Sequence, residues 1–404
     1  MCNSSGLKKA LSLKSTPPGN DFLSQDDLGI EEKTYPLELY FCQNCHHIQL
    51  GHVVDPKILY QKNYTYVSAT SKQFVDHLEN YSKEMIDMFH LKPDSLVVDI
   101  GSNDGTCLSF FKSKNMKVLG VDPAISIAKK ATKNGIQTIA NFFNYDLASK
   151  ILTEFGPAKF ITSHNACAHI DNLLDVVKGV ELLLDEDGVF VLEVGYLVDV
   201  YENTWFDTIY HEHLDFHTVG PFKKLFEQVN MEVINVQRIS PQGGSIRVMA
   251  QKKNGKFKKK SSVEELIQLE FDLSLDKIET FYKFESQINL VRDKLHALIG
   301  KIKADGKTIA GFGAPTKATT LMGHFNLDES VLDFIVDDNP LKQGLYTPIT
   351  HIPVLSAEAI YQKKPDYVLI LAWNFSSPIM KIHRRYAKEI GQFILPMPTP
   401  QIVR

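Results

Sequence analysis

The sequence predicts an α/β protein with two doubly wound sheets and a small module ahead of them. Three observations predict it. From about residue 95 onward, short apolar runs alternate with amphipathic stretches, the pattern of strands and helices in a mostly parallel sheet. Two of those runs end in glycine loops that open a helix, at Gly101 and Gly105 and again at Gly311 and Gly313. The first 70 residues are short on helical period and rich in turns (Pro17-Pro18-Gly19-Asn20, Tyr35-Pro36), and they hold Cys42-Gln43-Asn44-Cys45. The expected division is residues 1–70, 71–254 and 255–404.

In chain order, a helix is expected over 72–89, leading into a strand at Leu96. The loop from Asp99 to Gly105 follows, then a helix from Thr106 and a second strand over 118–121 that ends in Asp122. Strands are expected at 160–163 and 188–194, with a helix over 172–184 between them. A helix over 222–229 and two late strands at 231–238 and 245–251 close this region with an antiparallel end. A long helical stretch over 263–304 leads to the second α/β region, with strands at 308–311, 331–337 and 367–371.

Composition narrows the function. At 404 residues the chain is long enough for two or three domains. With 44% hydrophobic and 23% charged residues it reads as a soluble globular protein. A net charge of -4 argues against nucleic acid or an anionic membrane as partner, and the lysines at 252–260 read as a solvated linker. No apolar run reaches the roughly 18 residues needed to span a bilayer, and no signal-peptide core opens the chain. Five cysteines, three of them near the N-terminus, argue against a disulfide framework. A cytoplasmic protein is expected.

The first glycine loop carries the clearest chemistry. Gly101 and Gly105 let backbone approach a ligand closely, and Asp122, about 20 residues further on, stands where a carboxylate grips a ribose diol. The loop departs from G-x-G-x-x-G, and Asp99 precedes its first glycine. A carboxylate there suits a ligand with a cationic amino-acid end better than a pyrophosphate. The loop resembles the first motif of S-adenosylmethionine (SAM) methyltransferases; a turn without a ligand is the alternative. The second loop lacks a third glycine and is interrupted by Pro315, which weighs against a nicotinamide-dependent oxidoreductase.

Two further clusters stand out. Cys42 and Cys45 form half of a tetrahedral zinc site or a plain pair of thiols. Cys2 is a candidate third ligand and His46 or His47 a candidate fourth, while Ser5 stands where a first knuckle would need cysteine. Such a metal would be structural. The densest titratable run is Tyr210-His211-Glu212-His213-Leu214-Asp215-Phe216-His217. It is too closely spaced for H-E-x-x-H, and it suits proton transfer near neutral pH. Read as a loop, it lets Tyr210 and His213 reach one substrate carbon; read as a helix start, its histidines are structural. His169, beyond a strand's carboxyl end, is a second candidate.

The order of these motifs resembles the SAM-dependent sugar C-methyltransferases that act on nucleotide-linked 4-keto deoxysugars. The matching pieces are Phe41-Cys42-Gln43-Asn44-Cys45, Tyr64-x-Tyr66-x-Ser68-x-x-Ser71, Asp99 to Gly105, Asn165-x-x-x-His169-Ile170, Tyr210 to His213, Gly243-Gly244-Ser245-Ile246-Arg247, Gly313 to Lys317, Val336 to Gly344 and Trp373-Asn374. The resemblance implies an N-terminal zinc module, a central Rossmann-like SAM domain and a C-terminal Rossmann-like domain that helps hold the substrate. It implies proton chemistry by His213 and Tyr210, with Glu212 and His169 nearby. SAM is expected against Asp99, Gly101, Asn103, Asp104, Gly105, Asp122, Asn165, Tyr64 and Ser68. The sugar nucleotide is expected against Tyr66, Arg247, Lys317, Asn339, Lys342 and Asn374. The reaction implied is methylation of carbon 3 through an enolate, with His213 the preferred base and Tyr210 the alternative; oxygen or nitrogen is the competing acceptor. A monomer is expected. The departure at Ser5 touches the metal ligands and not the methyl-transfer residues.

Overall fold

A computed structural model describes residues 1–60, 69 and 72–404. Its central element is a seven-stranded sheet. In spatial order the strands are Met231–Ile239, Ser245–Lys252, Leu184–Gly195, Ala158–His164, Leu96–Ile100, Lys117–Val121 and Thr138–Ile139. All run parallel except Ser245–Lys252, which is antiparallel to both neighbours. The α/β class and its antiparallel end are therefore as the sequence predicts.

Alternation along the strands explains how both faces are covered. Val98 and Ile161 join the apolar cluster that includes Val176 and Val180 of helix Leu173–Leu183. Their neighbours Val97 and Phe160 join Phe74, Leu78 and Tyr81 of helix Lys72–Phe89. Phe160 is fully buried, and truncating such a ring to alanine typically costs about 3–5 kcal/mol.

The N-terminal sheet is ordered Leu7–Thr16, Tyr35–Cys42, Ile48–Leu50 and Asp215–Phe216. Its last strand comes from the end of the His-rich run, so the front module and the central region share a sheet. The C-terminal sheet has six strands, Val354–Leu355, Ile335–Val336, Ile309–Phe312, Tyr367–Ile370, Gln392–Leu395 and Gln401–Val403, with only the last reversed. One continuous apolar cluster runs from Leu37 through Ile100 and Phe284 to Leu321 and Trp373, and so joins all three sheets.

The long helical stretch is two helices, Ser262–Asp272 and Ile278–Ala304. They are separated at Ser274, whose φ of 55° is left-handed, and the Thr280 hydroxyl donates to the Ser274 carbonyl at 2.6 Å. The strand expected over 331–337 shrinks to Ile335–Val336. Among the described residues no helix is long and apolar enough to cross a membrane.

Candidate active site

The first glycine loop sits at the carboxyl end of strand Leu96–Ile100, where ligands bind in this type of sheet. Gly101 has φ of 76°, and a Cβ there would lie 2.5 Å from the Cβ of Ala166. Gly105 has φ of 79° and opens helix Thr106–Lys112. The Asp122 carboxylate locks the loop, accepting the Asn103 amide and the Ala124 amide, each at 2.8 Å. Asp104 accepts the Thr106 hydroxyl at 2.7 Å and the Ala69 amide at 3.2 Å. Asn165, with φ of 57°, donates its amide to the Glu193 carbonyl at 2.7 Å and adjoins Ala166 over the same loop.

SAM fits this cradle on one observation in particular. Asp99 is buried, and its Oδ1 has no partner. Burial, with Asp122 adding like charge, raises its pKa well above the carboxylate range. A cationic ligand end would relieve both. Tyr64, Tyr66 and Ser68 lie outside the described residues.

Across the sheet edge, residues 210–214 form a turn, not a helix. The His213 amide donates to the Tyr210 carbonyl at 2.9 Å, which brings the two rings to 4.1 Å between centroids. His213 Nδ1 lies 2.8 Å from the Thr208 carbonyl. A carbonyl only accepts, so Nδ1 carries the proton and Nε2 is the acceptor. Tyr210 therefore donates its hydroxyl proton to Nε2, at 2.8 Å. Burial pulls the His213 pKa down to about 4, with Lys317 adding to the shift, so the ring is neutral at pH 7. His169 packs edge-on at 5.1 Å and is held at about 3 by burial. The buried Glu212 is raised to about 7 by burial, opposed by the Asn20 amide at 3.4 Å and the charge of Lys342.

The C-terminal region closes the site. Lys317 lies 3.4 Å above the Trp373 ring and donates to Asn374 Oδ1 at 2.7 Å. Burial lowers its pKa to about 8, against the attraction of Asp207. Lys342 donates to the Ala314 carbonyl at 2.7 Å and feels both Asp337 and Glu212. Asn339 spends its side-chain oxygen on the Leu341 amide at 3.0 Å, an Asx turn within its own loop.

Arg247 has a different surrounding from the one its motif implies. It is buried, with its guanidinium on Glu193 at 2.7 Å, Glu84 at 2.7 Å and Gln237 at 2.9 Å. Glu193 also meets His77 at 2.7 Å and His164 at 3.1 Å. Burial alone would raise the Glu193 pKa, but these partners hold it well below the carboxylate range.

One residue that sequence reasoning missed is Asp207. It is fully buried, accepts the Trp373 indole N–H at 2.7 Å, and is raised to about 6 by burial. Trp205 stacks on Trp373 at 4.6 Å, and Thr320 donates to the Ile209 carbonyl at 2.9 Å. The C-terminal region thus holds both ends of 205–209, the segment whose Thr208 carbonyl sets the His213 tautomer. The signal available was a carboxylate three residues ahead of Tyr210.

The three N-terminal cysteines do meet: their sulfurs lie within 4.8 Å of one another, Cys2 and Cys42 at 3.6 Å. Sulfurs around a tetrahedral zinc at about 2.3 Å are about 3.8 Å apart, so the thiols fit such an ion. The Asn44 side-chain amide donates to the Cys2 sulfur at 3.5 Å, as suits a thiolate. Neither histidine joins them, which corrects the expectation of a fourth ligand there. His47 Nε2 bonds Asp215 at 2.6 Å, and His46 stacks on Phe41 at 5.8 Å.

A seven-stranded sheet with one reversed strand, and a buried carboxylate beneath its first glycine loop, define a Rossmann-like methyltransferase. Three family models cover most of the chain: "Putative zinc binding domain" over 1–60, "Methyltransferase domain" over 69–236 and "C-methyltransferase C-terminal domain" over 240–398. C-methyltransferase NovU of Streptomyces niveus is 32% identical over 403 residues, spanning 100% of this chain and 96% of that protein. The chain belongs to this C-methyltransferase family and is a SAM-dependent methyltransferase. Among solved structures, a SAM-dependent methyltransferase of Clostridium acetobutylicum is 13% identical over 46% of this chain and 94% of its own, with a TM-score of 0.37. Magnesium protoporphyrin IX methyltransferase of Synechocystis is 12% identical over 45% of this chain and 79% of its own, with a TM-score of 0.33.

Proposed function

We propose that the protein transfers a methyl group to carbon 3 of a nucleotide-diphosphate sugar bearing a ketone at carbon 4. The observation that carries this reading is the Tyr210–His213 pair, with the acceptor nitrogen of a neutral imidazole facing a phenol. A ketone acidifies the neighbouring C–H, and removing that proton is general-base work near neutral pH.

SAM supplies an electrophilic methyl that leaves its sulfur as a neutral thioether. The rest falls to the chain. Tyr210 stands between His213 and any substrate, because its hydroxyl already takes the one imidazole lone pair. The sugar proton therefore passes to the Tyr210 oxygen as the phenol's own proton moves to His213 Nε2. The C–H electron pair enters the enolate, and the enolate carbon forms the new C–C bond. This makes Tyr210 the base in contact and His213 its proton acceptor, the reverse of the order favoured by sequence. His169 is the candidate donor to the enolate oxygen, where stabilisation counts most. Lys317 and Lys342 offer two half-buried cationic groups beside the turn, suited to a diphosphate.

Turnover with methyl-13C SAM against a panel of 4-keto nucleotide sugars tests the reading. The expected product carries its labelled methyl on carbon, at an aliphatic 13C shift. A methoxy or N-methyl shift would contradict it.

A further inference from the structure

We infer that the metal position of the N-terminal module is a three-thiolate site whose fourth coordination position opens into a cavity and accepts an exchangeable small thiol. This goes beyond methyl transfer and does not rest on it. Cys2, Cys42 and Cys45 converge, and among the described residues no fourth histidine, cysteine or carboxylate joins the group. The Cys-x-x-Cys spacing that brings Cys45 back to Cys42 would bring residue 5 back to Cys2, and that residue is the exposed Ser5.

Asn44 Nδ2 reaches the Cys2 sulfur at 3.5 Å, and open space lies beside the three cysteines. A cavity of about 210 Å³ borders all three cysteines, with Ser4, Gln49 and Asp171 among its walls. Asp215 also borders it, but its Oδ1 is held by His47. Ser5 is not among the lining residues. A zinc ion held by four protein ligands is closed and structural, whereas three protein ligands leave a position that solvent fills. Zinc is thiophilic, and a cavity bordered by three sulfurs admits a fourth sulfur from solution. The metal can still cross-link residues 1–7 to the 42–45 turn, but one of its four bonds is made to a ligand that leaves.

Cobalt substitution of the full-length protein tests this, with glutathione as the probe thiol. Wild type is expected to bind one ion and to show sulfur-to-cobalt absorption that grows by about a third on adding glutathione, as three Co–S bonds become four. Ser5→Cys should show the higher absorption without added thiol and ignore glutathione. It should also hold zinc against a chelator at least about 10-fold more tightly, since losing even an outer partner of a metal ligand costs about that much. Ser5→Ala and Asp171→Asn should match wild type. Absence of metal binding, a wild-type spectrum indifferent to glutathione, or loss of metal in either of those two variants would overturn the inference.

Discussion

The two glycine loops, at Gly101 and Gly313, are built alike and do different work. Each glycine has positive φ, 76° and 86°, and at each a Cβ would lie 2.5 Å from an alanine Cβ just past a neighbouring parallel strand, Ala166 or Ala372. Each loop is locked by an aspartate after the second strand. Asp122 accepts the Asn103 and Ala124 amides at 2.8 Å; Asp337 accepts the Ala314 amide at 2.6 Å and the Asn339 amide at 2.8 Å. The aspartate is therefore part of how such a loop is held, and its presence alone does not name a ligand. What differs is the floor and the cover. Asp99, buried with an unpartnered oxygen, stands where the second loop has Gly311. Over the second loop, Pro315 precedes helix Thr316–Phe325 and the Lys342 ammonium sits on the Ala314 carbonyl.

The largest effect should separate both loops from the chemistry. Tyr210→Phe and His213→Asn should each lower turnover by about 10²–10⁴, the range for a lost general base, while SAM binding measured by calorimetry stays near wild type. If SAM affinity fell in parallel, the turn would belong to the first loop's site and the separation would fail.

Next comes the pair Asp122→Ala and Asp337→Ala. Each leaves two loop amides without their acceptor, at about 1–3 kcal/mol per buried group, so thermal denaturation should show both variants destabilised. On the proposal that Asp122 also holds the SAM ribose, only Asp122→Ala should weaken SAM binding, by about 10-fold or more, since a charge-assisted bond contributes about 1.5–3 kcal/mol. Equal weakening by Asp337→Ala would break the comparison.

A smaller effect reads the cover of the second loop through pH. His213, pulled down to about 4 by burial, is neutral and competent throughout the neutral range. Lys317, pulled down to about 8, loses its charge as pH rises past that value. The pH–rate profile should be flat towards acid and fall above pH about 8. Lys317→Met should remove the alkaline fall, and should raise the pKa of His213 because a neighbouring positive charge is gone.

The smallest effect is a control outside both loops. Glu270 is buried and accepts the Tyr196 hydroxyl at 3.0 Å and the Val219 amide at 2.7 Å. Burial raises its pKa from 4.5 to about 7. Between those values the folded state keeps a proton that the unfolded chain has released, so stability falls as pH rises from 4.5 towards 7. Glu270→Gln should flatten that slope in denaturant titrations without moving SAM affinity.

What the sequence made legible was local. The Asp99–Gly105 loop, helix Lys72–Phe89 and the Tyr210–His213 spacing are set by residues within one or two turns of each other. Partners far apart in the chain were not legible. The Arg247 motif reads as a substrate contact, yet its guanidinium meets Glu84, 163 residues away, and Glu193, 54 away. Asp207 gains its place only through Trp373, 166 residues on. The proposed order of base and relay was hidden for a subtler reason: it depends on which ring nitrogen of His213 carries the proton, and only the Thr208 carbonyl fixes that.

The relay itself is tested most directly by proton exchange. The 4-keto nucleotide sugar, incubated with enzyme and S-adenosylhomocysteine in D2O, should take up deuterium at carbon 3 with wild type and at least about 100-fold more slowly with Tyr210→Phe. Methylation of the same sugar by an enzyme that leaves carbon 3 free of deuterium, or equal exchange by the Tyr210→Phe variant, would contradict the account.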